Sequence, residues 1–345
     1  MKGLCFGVGF SLLTVTSIIL TLAVVFVNGL TDAPNAISTV TVTRCMKLKP
    51  ALIMSAVLNF LGVTVMSAVN NSVTVTVANI VDFGDSTYSA SVALSAALFA
   101  IVLWAVLAWY FGIPTSESHA LIAGLTGSAV AINGGLDGVN GAEWLKTVKG
   151  LFTSCFFGFA VGFIICKIII VLFRNIKRKH TEEFFRYSQI FAAAGMSFMH
   201  GAQDGQKFIA VLMLCTAFSG NGKTDVFRAD WGMILLCSAV MALGTASGGK
   251  KIIKSVGMDM VRLEKYQGFS ADISASLALL VSTVFGYPVS TTHAKTTAMM
   301  GAGAARNMRD LNVCVIKEIA LTWIFTFPGC AAIGFGITKI FLRIF

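Results

Sequence analysis

The chain has 345 residues, of which 56% are hydrophobic and only 12% charged, with a formal net charge of +10 and a mean hydropathy of +0.81. Soluble domains carry about 25% charged residues, so the composition excludes a soluble globular enzyme. It also excludes a disordered or nucleic-acid-wrapping protein, because in a membrane chain the surplus Lys and Arg mark loops on one side of the bilayer. Glycine is abundant at 33 residues and proline scarce at 5, as suits closely packed transmembrane helices. Period-2 strands of about ten residues, the mark of a membrane barrel, are not found.

About ten apolar stretches follow one another, each near the ~20 residues of a spanning helix. They cover 5–44 (long and interrupted), 50–80, 89–111, 116–132, 150–173, 188–218 (interrupted), 231–248, 269–285, 289–305 and 314–343. The first, from Leu4 to Val27, is too long for a signal-peptide core and has no small-x-small exit, so it is read as retained. The eight cysteines have no CxxC spacing. Most lie in apolar runs, where Cys acts as a small hydrophobe rather than a disulfide or zinc ligand. Basic residues fall in alternate loops: Arg44, Lys47 and Lys49; Arg174, Lys177, Arg178, Lys179 and Arg186; Lys250, Lys251, Lys254, Arg262 and Lys265; Arg306 and Arg309. By the positive-inside rule this side is cytoplasmic and both termini are outside.

Two motifs recur in the same order. Gly112-Ile-Pro-Thr-Ser-Glu-Ser-His-Ala120 matches Gly286-Tyr-Pro-Val-Ser-Thr-Thr-His-Ala294 at an offset of 174. Asn28-Gly-Leu-Thr-Asp-Ala-Pro-Asn35 matches His200-Gly-Ala-Gln-Asp-Gly-Gln-Lys207 at Gly and Asp, with an offset of 172. With five stretches per half, the second half enters the membrane upside down. The expected fold is an all-α polytopic membrane protein of about 10–12 segments. It is an inverted-topology repeat with broken helices and half-helices, its site at the repeat interface. The expected division is 1–174 for the first repeat, 175–187 for a cytoplasmic linker and 188–345 for the second.

Asp32 and Asp204 lie in apolar surroundings, where a carboxylate costs at least ~2.5 kcal/mol unless paired or wetted. Each is a candidate cation ligand or proton carrier, or a helix cap at a break. The flanking Gly29, Pro34, Gly201 and Gly205 lead us to expect interrupted helices at both. The Pro-x-Ser-x-(Ser/Thr)-His segments read as helix starts. Their free amides, helix dipoles and hydroxyls from Ser116, Ser118, Ser290, Thr291 and Thr292 form a candidate tetrahedral-oxyanion site. His119 and His293 support that site or cap and pack; Gln203 and Gln206 are read as supporting as well. Asn35 and Lys207 occupy matching positions. Asn can ligate Na⁺ whereas Lys neutralises Asp204 three residues away, so the two halves are expected to differ in cation binding. Glu117 and Lys295 also break the symmetry, and their roles stay open.

The paired Asp motifs and paired hydroxyl-His segments resemble the inorganic phosphate transporter (PiT) family over nearly the whole chain. The resemblance implies a homodimeric helical carrier, not an enzyme. It moves inorganic phosphate by symport with Na⁺ in some members and H⁺ in others, without a cofactor. It assigns Asp32, Asn35 and Asp204 to the cation (Na⁺ if a metal), and Ser116, Ser118, Ser290, Thr291 and Thr292 to phosphate. The Gly-Gln-Lys run departs from the Asn-bearing second motif and argues against simple two-site Na⁺ coupling, leaning toward H⁺ or a reduced Na⁺ requirement. The chain lacks the large hydrophilic loop of animal members, so a prokaryotic plasma membrane is expected, with lipid and phosphate as partners and no nucleic acid. Competing readings are the same machine carrying sulfate or a metal–phosphate complex, and an anion channel. An intramembrane hydrolase is disfavoured, since Ser116 and His119 stand three apart at a helix start and no GxSxG elbow is present.

Overall fold

The computed structural model describes residues 12–111, 115–218, 229–248 and 263–345. Cys5, the start of the first apolar stretch, Gly112, Ile113 and Pro114 of the first hydroxyl motif, and the basic residues Lys250, Lys251, Lys254 and Arg262 lie outside the described residues.

The described chain is helical, with one isolated bridge between Val81 and Val139. The first stretch becomes α1 (Leu12–Thr31), α2 (Ala33–Ala36) and α3 (Ser38–Val42). Pro34 brings no amide to the helix ladder, and the chain turns at Asp32 and again at Ile37. The stretch 50–80 divides into α4 (Leu48–Val69) and the seven-residue α5 (Ser72–Ala78). Then follow α6 (Thr87–Phe111), α7 (Glu117–Asn133) and α8 (Gly141–Leu172). Gly134, in the left-handed region at φ 71°, ends α7.

The second half opens with α9 (Arg178–Ala217), 40 residues without interruption and about 60 Å long at 1.5 Å per residue. This corrects the expected break around Asp204. It also puts all but the first residues of the 175–187 segment into helix. After it come α10 (Trp231–Ser247), α11 (Lys265–Val284), α12 (Thr291–Arg306) and α13 (Val313–Ile344).

Polarity is turned inside out relative to a soluble protein. Leu12, Phe152, Phe156 and Phe191 are all 70% or more exposed, while Asp32, Asp204, Lys207, Asp272 and Lys295 are buried. That is a protein whose outer solvent is hydrocarbon. Five of the described helical segments are long and apolar enough to cross a membrane: Leu12–Ala36, Leu48–Val69, Thr87–Ala108, Gly141–Leu172 and Ile319–Ile344. Helices α9, α11 and α12 carry the buried charged residues Asp204, Lys207, Asp272 and Lys295.

Packing partners exchange between the halves. Helix α7 packs on α13 as α12 packs on α8; α10 packs on α1 as α4 packs on α9; α1 meets α6 as α9 meets α11. Glycines set the close approaches, two of them within the repeated Asp motifs. A Cβ on Gly29 would lie 2.4 Å from the Met241 carbonyl oxygen, and one on Gly201 would lie 2.3 Å from the Asn59 carbonyl oxygen. Only a hydrogen fits there, so the backbones touch.

Gly29→Ala and Gly201→Ala should each cost ~1–3 kcal/mol by overpacking, read as a lower unfolding temperature in detergent. Gly336→Ala should leave it unchanged, since nothing lies within 4 Å of the added carbon.

Candidate functional site

Asp32 stands buried at the turn between α1 and α2, and its backbone carbonyl accepts from the Asn35 backbone amide at 2.9 Å. From the other half, the unbroken α9 presents Asp204 and, one turn on, Lys207. The two carboxylates share one amide group. Asn28 Nδ2 donates to Asp32 Oδ2 at 3.3 Å and to Asp204 Oδ2 at 3.1 Å. Asp32, Asp204 and Lys207 are each at most 2% exposed.

The starts of α7 and α12 converge on this pair. Ser116 and Ser290 accept from the backbone amides of His119 and His293 at 3.3 and 3.2 Å, as N-caps do. The next residues face the carboxylates. Thr292 Oγ1 donates to Asp32 Oδ1 at 2.8 Å. Thr291 Oγ1 donates to Asp204 Oδ2 at 3.3 Å and Ser118 Oγ to Asp204 Oδ1 at 3.5 Å. Of the five hydroxyl residues expected to act alike, Ser118, Thr291 and Thr292 are brought together on the carboxylates. Ser116 and Ser290 are tied to their own helices.

The matching positions Asn35 and Lys207 differ as their chemistry dictates. Lys207 Nζ donates to Asp204 Oδ1 at 2.6 Å, Ser118 Oγ at 2.6 Å and the Val289 carbonyl at 2.5 Å. All three ammonium donors are used. Asn35 Nδ2 donates to Thr292 Oγ1 at 3.1 Å, while its Oδ1, like that of Asn28, is buried with no partner. Next to Asp32, therefore, lie two free amide oxygens. Next to Asp204 lies a fixed ammonium. No group of three or more His, Cys, Asp or Glu side chains placed to hold a metal occurs among the described residues. A cation beside Asp32 would therefore draw on amide and backbone oxygens.

The remaining residues expected at the site frame it. His119 and His293 pack edge to face at 4.2 Å, against Phe327 and Trp323 of α13 at 4.3 and 3.5 Å. Gln203 Nε2 donates to the Tyr287 carbonyl at 2.7 Å, and its Oε1 accepts from Thr283 at 2.5 Å, which anchors the segment leading into α12. Gln206 Oε1 accepts from the Val73 amide at 3.2 Å, at the start of α5. Glu117 Oε1 accepts from Thr31 at 3.3 Å, and its Oε2 is buried without a partner. Lys295 pairs away from the site, with Asp272.

Two residues at the site were not singled out from sequence. Asn28 opens the first motif, four residues before Asp32, which is one helical turn and so a readable signal. His200 holds the matching place before Asp204. Its Nδ1 lies 2.9 Å from Asn59 Oδ1 and its Nε2 3.3 Å from Asp204 Oδ2.

The sequence model of the phosphate transporter family matches residues 28–334. The chain belongs to that family. It is 33% identical over 323 residues to a Bacillus subtilis protein named "Probable low-affinity inorganic phosphate transporter", covering 94% of this chain and 95% of that one. A Rhizobium meliloti protein of the same name is 33% identical over 312 residues, 90% of each chain. Among solved structures, "The sodium-dependent phosphate transporter" superposes with a TM-score of 0.87, covering 97% of this chain and 100% of that one at 21% identity. At that identity the likeness is one of fold. The chain is thus a membrane transporter of this family and not an enzyme.

Removing the shared amide leaves two buried carboxylates without their bridging donor. Asn28→Leu should lower stability by ~1–3 kcal/mol. Asn28→Asp, which adds a third carboxylate at the same place, should cut phosphate uptake by at least about tenfold, measured at matched protein levels in the membrane.

Proposed function

We propose that this protein imports inorganic phosphate by alternating access, in symport with a monovalent cation, H⁺ or Na⁺. The observation that carries the proposal is the convergence of two helix starts, one from each half, on Asp32 and Asp204. The dipoles of these two buried helix starts and the hydroxyls of Ser118, Thr291 and Thr292 suit a tetrahedral oxyanion. Carboxylates beside that anion favour phosphate, which keeps a proton to donate, over sulfate, which does not. A bare anion next to two carboxylates and one lysine is uphill; a cation entering with it offsets the charge, which is the physical root of coupling.

The cation belongs at Asp32, with the free oxygens of Asn28 and Asn35. Asp204 already has its cation in Lys207, so one mobile ion per phosphate fits better than two. The exchange of packing partners between α1–α8 and α9–α13, together with the doubled motifs, supports two inverted repeats, 1–174 and 188–345. We place the basic loops in the cytoplasm and both termini outside, in the plasma membrane of a prokaryote. The working unit is taken as a homodimer embedded in lipid.

The test is uptake of labelled phosphate into proteoliposomes. Asp32→Asn and Asp204→Asn should each abolish concentrative uptake while the protein remains in the membrane. Ser118→Ala and Thr292→Ala should weaken phosphate binding about ten- to a hundredfold, the loss expected for a hydrogen bond to a charged group at ~1.5–3 kcal/mol. Accumulation at the normal level by either Asp variant would overturn the coupling assignment.

Separate pH and Na⁺ gradients identify the ion. Wild type should respond to its cation with a Hill coefficient near one. Lys207→Asn should raise the Na⁺ dependence, because an amide oxygen replaces the ammonium beside Asp204. A steep wild-type Na⁺ dependence with a coefficient near two would contradict the single mobile ion.

A further inference from the structure

One buried ion pair takes no part in the central network. Asp272 of α11 and Lys295 of α12 are both 0% exposed and pair with each other. Thr39 of α3 donates to both Asp272 oxygens, at 2.8 and 2.9 Å. Lys295 Nζ also reaches Thr39 Oγ1 at 3.1 Å and the Ala36 carbonyl at 3.5 Å. The pair thus ties the broken segment of the first half, α2 and α3, to two helices of the second half. It does so one turn beyond the bond between Asn35 and Thr292, toward the end of α12 where Arg306 meets Glu264.

The repeat supplies a comparison. Lys295 follows His293 by two residues, as Leu121 follows His119. Asp272 precedes Lys295 by 23 residues, as Leu98 precedes Leu121. Leu98 and Leu121 are 0% exposed and lie in one apolar cluster. Where one half has two leucines, the other has a carboxylate and an ammonium.

These are two different kinds of contact to break. Parting two leucines exposes apolar surface and gains nothing in return. Parting a buried ion pair returns two charges to water, and their hydration offsets most of the attraction lost. A buried pair is therefore a poor permanent weld and a good releasable one. We propose that Asp272, Lys295 and Thr39 form a latch that holds α2–α3 against α11–α12 while the phosphate site is closed on the side of Arg306. The latch must part for phosphate to pass on that side. The two charged residues are positioning residues, acting through the segment that bears Asp32 and Asn35 and not by touching phosphate. The proposal rests on the carrier reading above.

The first test replaces the pair with the leucines of the other half, Asp272→Leu with Lys295→Leu. A buried ion pair can often be exchanged for apolar residues without loss of stability, so a merely structural pair predicts normal transport. The latch predicts a folded protein whose phosphate binding stays within about twofold and whose uptake rate falls at least about tenfold. Binding and uptake both at wild-type level would overturn it.

A second variant leaves the charges in place and serves if the double leucine protein does not fold. Ser38 of α3 contacts the end of the Met299 side chain of α12 at 4.0 Å, so Ser38→Cys with Met299→Cys can be bridged by a bifunctional thiosulfonate reagent, whose disulfides lock the two elements together until reduced. Uptake by the cross-linked protein should stop and return on reduction, while uptake that continues unchanged would overturn the latch. Failure of wild type itself to bind phosphate would instead overturn the carrier reading.

Discussion

Everything at the centre of this protein follows from putting two carboxylates, Asp32 and Asp204, side by side away from bulk water. They repel each other, and each is expensive to bury. Three kinds of neighbour offset that cost. Asn28 gives one amide to both carboxylates, Lys207 neutralises one of them, and the hydroxyls of Ser118, Thr291 and Thr292 at the two helix starts donate to the pair. The local backbone serves the same end. The chain breaks at Asp32, where Pro34 removes a ladder hydrogen bond, and the hydroxyl helices begin in the interior and not at the membrane surface.

Much of this was legible in the sequence. Two motifs repeated in order at nearly one offset are enough to infer an internal repeat, and helix starts near Ser116 and Ser290 follow from residue type. The lysine at position 207 was readable as a partner of Asp204, since three residues on a helix bring the two side chains together. What misled was glycine. Gly201 and Gly205 beside Asp204 suggested an interruption, yet α9 runs straight through. The glycines are there for contact: a Cβ at 201 would meet the backbone of Asn59, and one at 205 would meet Val63. In a membrane helix the same residue type can mean a break or a close approach, and only the partner helix decides which.

Long-range pairing was the other blind spot. Asp272 sits among serines and alanines with no local motif. Lys295 was noticed as an odd charge after a hydroxyl motif, but a partner 23 residues away on another helix leaves no trace in a single sequence. The hydroxyl residues were grouped too generously for a related reason. Caps and ligands share a residue type, and the helix register that turns Ser116 toward its own backbone and Ser118 toward Asp204 appears only in three dimensions.

The two halves are not equivalent. A perfectly symmetric repeat would place equal cation sites and equal closures on both sides. Here one half keeps free amide oxygens at Asn28 and Asn35 while the other carries a tethered ammonium, and one half holds its helices with leucines while the other uses a charged pair. The central claim is that one enclosed site is presented to the two sides of the membrane in turn. Counterflow tests that claim most directly: proteoliposomes loaded with unlabelled phosphate are diluted into a trace of labelled phosphate with no ion gradient. An alternating carrier predicts that label transiently accumulates inside above its external concentration. Label that merely rises to equality, without overshoot, would mean an open pore and would contradict the enclosed site built on Asp32 and Asp204.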